Sequence, residues 1–134
     1  MSQDNCTQEL KFDSEIKKFF KNKSLLITGS TGLVGKVLIW KLLNSCDQLD
    51  QIYLLIRPKK GLTIDQRLDD LLNKSRGLFN YNNVISKSHK IIPIQGDIGL
   101  PDLGLSQDDK QIIIQTVSIV VHSAADITFE TDLK

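Results

Sequence analysis

Apolar runs of strand length, separated by segments of helical period, predict an α/β chain: a partial, doubly wound parallel sheet of strand order 3-2-1-4 with helices on both faces. Two observations carry this. The runs at Leu25–Thr28, Ile52–Ile56, Ile91–Gln95 and Ser118–Val121 are near-continuous rather than alternating, as parallel strands covered on both faces require. The first leads through SLLITGSTGLVGKVLIWKLL, Ser24 to Leu43, into a glycine-punctuated turn and an apolar-rich helical segment.

Gly29, Gly32 and Gly35 recur every third residue. Each suits a different role, namely tight turning, close approach of a pyrophosphate, and close packing of helix on strand. A helix opening near Leu33 would aim its unpaired N–H groups and positive dipole end at a diphosphate. The pattern therefore reads as a Rossmann-type dinucleotide turn, with a purely structural turn as the alternative. A nucleotide-triphosphate loop is suggested by Gly35-Lys36, but Ser30 stands where its first glycine belongs and Val37 where its Mg²⁺-binding hydroxyl belongs.

Size and composition narrow the classes. A chain of 134 residues holds one domain at most and is short for an oxidoreductase with its own substrate pocket. The net charge of +1 gives no reason to expect nucleic acid or a strongly acidic partner. Cys6 and Cys46 lack metal-site spacing, which fits a reducing intracellular compartment. No secretory signal is read in the polar start, and no apolar stretch approaches the ~18 residues of a membrane span.

Residues 1–12 lack sustained periodicity and are expected to fray; residues 13–134 are expected to form the domain. Asp13 or Ser14 can cap a short helix in which Ile16, Phe19 and Phe20 make one apolar stripe among lysines. That stripe predicts docking on the sheet; a membrane-surface helix is the alternative, suggested by Lys17, Lys18, Lys21 and Lys23. Asn44 to Gln51 reads as a polar connection.

The second strand ends in Arg57-Pro58-Lys59-Lys60-Gly61, where NAD sites usually carry an acidic residue for the ribose hydroxyls. Positive charge there favours a 2′-phosphate and hence NADPH, a solvated basic loop being the alternative. Thr63 with Gln66 forms a capping box for a crossover helix bearing Ile64, Leu68, Leu71 and Leu72 on one face. Leu78 to His89 is mostly polar and reads as a surface loop.

Pro93 within the third strand is tolerable at the sheet edge, where order 3-2-1-4 puts it. Asp97 and Ile98 follow at that strand's carboxyl end, placed either to meet an adenine or to cap a turn. Ser106 with Asp109 can cap a helix carrying Ile112, Ile113 and Ile114. His122-Ser123-Ala124-Ala125-Asp126 then ends the fourth strand beside the glycine turn, where open α/β sheets bind ligands. Ala124 and Ala125 would admit a ribose or nicotinamide to the backbone, or serve packing. His122 has no evident carboxylate or nucleophile to make it a catalytic base.

Together TGSTGLVGKVL, IYLLIRPKKG, IQGDI and HSAADITFE resemble fatty acyl-CoA reductases, members of the extended short-chain dehydrogenase/reductase fold that share a reducing domain type with carrier-protein reductases. The resemblance runs from about Asp13 to Glu130. It implies reduction of a long-chain acyl-CoA by NADPH, through an aldehyde, to a fatty alcohol. It also implies that Thr28, Gly29, Thr31, Gly32, Leu33, Val34 and Gly35 hold the pyrophosphate. Arg57 would take the 2′-phosphate, with Arg67 as a weaker second contact; Asp97 and Ile98 would take the adenine, and Ala124 and Ala125 the ribose side.

One departure matters. The family's Tyr-x-x-x-Lys pair, in which lysine lowers the tyrosine pKa so that it can protonate an alkoxide, has no match: Tyr53 is followed four positions on by Arg57, and Tyr81 by Ile85. No catalytic residue is therefore assigned. The acyl-binding region and any carboxyl-terminal membrane anchor are not found either, and the fourth strand would need a neighbour on its open side. The chain is thus expected to be the amino-terminal cofactor half of a larger enzyme, or an incomplete gene product, and poorly soluble or oligomeric alone. An intracellular location is expected, at peroxisomal or endoplasmic reticulum membranes as the resemblance implies and in the cytosol otherwise. Rival readings are a sugar-nucleotide epimerase or dehydratase of the same fold, and a non-catalytic NADPH-binding regulatory module.

Overall fold

A computed structural model describes residues 15–74 and 81–125. The expectations for residues 1–12, and for Asp13 and Ser14 as caps, lie outside them. In order the chain forms α1 (residues 15–20), β1 (Leu25–Thr28), α2 (Leu33–Ser45), β2 (Ile52–Ile56), α3 (Ile64–Lys74), α4 (Tyr81–Lys87), β3 (Ile91–Gln95), α5 (Gln107–Thr116) and β4 (Ile119–His122). The four strands form one parallel sheet in the order β3-β2-β1-β4, as the sequence predicts.

The continuous apolar runs explain the layers. Alternate strand residues point to opposite faces, so Leu25, Ile27, Ile52, Leu54, Ile56 and Ile91 form one core with Ile39, Trp40 and Leu43 of α2 and Val84 of α4. Ile64, Leu68 and Leu72 of α3 pack against that core from its edge. Leu26, Tyr53, Leu55 and Ile94 face the other way and are covered by Ile113 of α5 and Val117 after it. Each fully buried Leu or Ile contributes about 1.5–3 kcal/mol, and β1 and β2 are buried along their whole length.

The caps follow the sequence. Thr63 Oγ1 accepts from the Gln66 amide (3.2 Å) while Gln66 Oε1 accepts from the Thr63 amide (2.9 Å), starting α3. Ser106 Oγ accepts from the Asp109 amide at 3.1 Å and starts α5. Pro93 lies opposite Leu54 on the edge strand, and the β2–β3 register runs unbroken past it.

Three expectations are corrected. The supposed loop from Leu78 to His89 contains α4 and a 3-10 turn, Ser88–Lys90. Burial of Val84 in the main core, with Lys87 and Lys90 reaching carbonyls of residues 43–49, anchors what composition presents as a solvated linker. The connection after α2 is less polar in effect than it reads, because Cys46 and Leu49 are buried. In α1 only Phe20 packs on the core; Ile16 and Phe19 are exposed. Among the described residues no helix is long and apolar enough to cross a membrane.

Candidate cofactor-binding site

The site grows from the turn between β1 and α2. Gly29 has φ +71°, and a Cβ there would stand 2.5 Å from the Ala124 amide nitrogen, so a side chain is barred both by conformation and by the end of β4. At Gly35 a Cβ would stand 2.3 Å from the Gly29 carbonyl oxygen, which makes this glycine the helix-to-turn contact. Gly32 differs: its only near neighbour would be the Gly29 carbonyl oxygen at 3.3 Å. Among the described residues the space above Gly32 is open.

Helix α2 starts without a cap. Gly32 is its N-cap residue and offers no side-chain oxygen, and no acidic residue lies in the first turn. The first helical bond is from the Lys36 amide to the Gly32 carbonyl (3.1 Å), while the amides of Leu33, Val34 and Gly35 have no acceptor among the described residues. Uncompensated donors at a helix N-terminus, with the dipole behind them, favour an anion.

The carboxyl ends of all four strands meet this turn in a cleft of about 370 Å³. From β1 and its turn come Thr28, Gly29, Thr31 and Gly32; from β2, Leu55, Ile56 and Arg57; from β3, Gly96, Asp97 and Ile98; from β4, Ser123, Ala124 and Ala125. Arg67 of α3 closes the side and donates through Nη1 to the Arg57 carbonyl. The β4 end is tied to β1: Ser123 Oγ donates to the Thr28 carbonyl (2.7 Å), the Ala124 amide to Thr28 Oγ1 (3.3 Å). Thr28 Oγ1 also lies 2.8 Å from His122 Nδ1.

At the β3 end, the Asp97 amide donates to the Leu103 carbonyl (2.7 Å), and Asp97 Oδ1 accepts from the Gly99 amide (2.8 Å). Asp97 thus does cap a turn. Its second carboxylate oxygen and the Ile98 amide have no partner among the described residues, which leaves one acceptor and one donor at the end of β3. Asp102, Leu103 and Gly104, at φ 51°, 58° and 60°, form the tight left-handed turn that brings the Leu103 carbonyl there.

Of the residues singled out from sequence, Thr28, Gly29, Thr31, Gly32, Arg57, Asp97, Ile98, Ala124 and Ala125 line this cleft. Leu33, Val34 and Gly35 do not: the first two side chains are exposed and Gly35 is buried under the turn. Only their amides bear on the site. Sequence reasoning missed Leu55, Ile56, Gly96 and Ser123, and the pairing of Thr28 with His122. Aligning the ends of β1 and β4, where Thr28 and His122 are register partners, is the signal that would have found that pair. Tyr53 is no proton donor for the cleft, because it is buried in β2 with its hydroxyl donating to Gln51 Oε1 at 2.7 Å.

Comparison with known proteins shows the family. The model of the NAD-binding family described as male sterility protein matches residues 27–134. The chain is 39% identical to fatty acyl-CoA reductase wat of Drosophila melanogaster over 98% of its own length and 26% of that protein. It is 36% identical to fatty acyl-CoA reductase 1 of Mus musculus over 89% of its length and 23% of that protein. The crystal structure of the terminal R domain from the myxalamid PKS-NRPS pathway superposes with a TM-score of 0.63 at 30% identity, over 80% of this chain and 26% of that one. The chain spans about a quarter of the length of the curated relatives it matches. With a glycine turn, an uncapped helix and a strand-end cleft in the places such a domain needs them, the chain belongs to the NAD-binding male sterility protein family.

Proposed function

We propose that the chain binds NADPH and serves the reduction of a long-chain fatty acyl-CoA to a fatty alcohol. The observation that carries the cofactor half is the start of α2, where three successive amides lack an acceptor among the described residues and Gly32 keeps the approach clear. A diphosphate supplies the missing acceptors. Asp97 and Ile98 then receive the adenine, Thr31 and Gly32 the diphosphate, and Ala124 and Ala125 the nicotinamide ribose.

Preference for NADPH rests on Arg57 and Arg67, which meet at the β2 end of the cleft and offer guanidinium groups suited to a phosphate. The acyl-CoA half rests on the relatives' names and on the sequence resemblance. When bound, the cofactor supplies the hydride. The chain's own part is to hold it; the Tyr53 hydroxyl, which donates to Gln51 Oε1, is given no part in proton delivery.

Calorimetric titration tests the reading. NADPH should bind more tightly than NADH by about 1–3 kcal/mol if the guanidinium–phosphate contacts form. Equal affinities would remove the 2′-phosphate role, and no binding of either would remove the function. A protein joining this chain to a Tyr-x-x-x-Lys pair and an acyl pocket should consume NADPH with long-chain acyl-CoA and release a fatty alcohol.

A further inference from the structure

Between β3 and α5 the backbone takes a conformation that residues with side chains rarely adopt. Asp102 (φ 51°, ψ 32°) and Leu103 (φ 58°, ψ 20°) are both left-handed, followed by Gly104 at φ 60°. Aspartate tolerates this region and glycine favours it, but leucine pays a steric cost there. Other contacts must hold Leu103 in place. Its side chain packs on the second core, formed by Leu26, Tyr53, Leu55 and Ile94. Its carbonyl accepts from the Asp97 amide at 2.7 Å, and lies so close to Gly96 that a Cβ there would stand 2.6 Å away. Asp102 is held from α5, where Lys110 Nζ donates to its Oδ2 at 2.7 Å.

Backbone outliers that several contacts hold at once cluster beside functional sites, and this one adjoins the cleft. The Asp97 amide is spent on Leu103, and Asp97 Oδ1 on the Gly99 amide. Among the described residues, the groups left at this strand end are the Ile98 amide and the other Asp97 carboxylate oxygen, and both residues line the cleft. The turn thereby decides which donor and which acceptor the cleft presents. Without it, the segment after β3 would sample orientations that binding must then freeze out.

We propose that Leu103 is a positioning residue for the adenine end of the cofactor: anchored in the second core, it fixes Asp97 and Ile98 through its carbonyl, while Lys110 keeps the turn closed through Asp102. This rests on the dinucleotide reading above. Neither Leu103 nor Lys110 lines the cleft, so both act on the ligand only through the strand end they support.

The test is titration with NADPH, followed by calorimetry and by backbone amide shifts, on this chain and five variants. Leu103→Gly relieves the backbone but removes the anchor. It should weaken NADPH about three- to tenfold, and at saturation the Ile98 amide should lose most of its shift change while Leu33, Val34 and Gly35 keep theirs. Lys110→Gln should act the same way more weakly, about two- to threefold. Leu103→Met and Lys110→Arg, which preserve the anchor and the ion pair, should behave as the unaltered chain does. Ile113→Ala thins the cover of the same core from α5, and should lower stability with the Ile98 response intact. If Leu103→Gly keeps the Ile98 response, or if Ile113→Ala loses it equally, the inference is overturned and the dinucleotide reading stands. A uniform loss at Ile98 and at the start of α2 would also overturn it, since the effect would then be one of stability alone. Should Leu103→Gly fail to fold, Lys110→Gln against Lys110→Arg decides by the same readout. If the unaltered chain shows no saturable NADPH binding, the dinucleotide reading and the inference fall together.

Discussion

Gly35 sits so close under Gly29 that a Cβ on Gly35 would stand 2.3 Å from the Gly29 carbonyl oxygen and 2.7 Å from the Ser30 Cα. Both obstacles are backbone and neither can rotate away. Gly35→Ala should therefore push α2 off the turn and destabilise the fold by about 1–3 kcal/mol, overpacking outweighing alanine's better helix propensity. Urea unfolding of the two proteins measures the difference, and an unchanged midpoint would show that the turn yields freely.

Gly32 should behave in the opposite way. Its backbone, at φ −78° and ψ 172°, is open to any residue, and a Cβ there meets nothing closer than 3.3 Å. Gly32→Val should keep stability within about 1 kcal/mol, the scale of an N-cap change. The added side chain would occupy the diphosphate's approach, so NADPH binding should fall by on the order of 2–3 kcal/mol. A variant that binds as before would mean that the diphosphate does not pass over Gly32.

Acid sensitivity should trace in part to Asp47. Its carboxyl is held below the ordinary carboxylate value, first by a hydrogen bond from the Lys87 ammonium and then by that group's charge. The folded value being the lower one, the unfolded chain binds more protons in the window between them. The contribution is whole above the unfolded value and is lost as pH falls through the folded one. Asp47 is largely exposed, so the effect is small and weakened by salt. Comparing wild type with Asp47→Asn by urea unfolding from about pH 7 to about pH 3 should show the two converging at the acid end; a constant gap would contradict this origin.

Ser30 carries a hydroxyl that is buried and has no hydrogen-bond partner among the described residues. An unsatisfied buried hydroxyl costs about 1–3 kcal/mol. Ser30→Ala should raise the melting temperature without changing NADPH affinity. Lower stability would reveal a partner for Oγ that the described residues do not contain.

The sheet was legible because its signals are local. Ile52–Ile56 and Ile91–Gln95 are observed with the bounds their apolar runs suggest, and the caps at Thr63 and Ser106 need only neighbours in sequence. What escaped depends on distant contacts. Val84 and the exposed Ile85 are two apolar residues in a mostly polar stretch, and only packing of Val84 in the main core and the carbonyls capped by Lys87 and Lys90 make a helix of its surroundings. Ile112 and Ile114 look like core residues beside Ile113, yet only Ile113 faces the sheet while the other two are exposed. The site divided likewise. Glycines and Arg57 announce themselves by residue type, whereas Ser123 and the Thr28–His122 pair emerge only once β1 and β4 lie in register.

Backbone amide shifts followed by NMR during NADPH titration probe the central claim, that main-chain donors opening α2 grip the cofactor's diphosphate. The account predicts the largest changes at Leu33, Val34 and Gly35, with Ile98 and Ala124 next and α4 silent. Saturable binding that leaves those three amides unmoved, or perturbs a different end of the sheet, would contradict it.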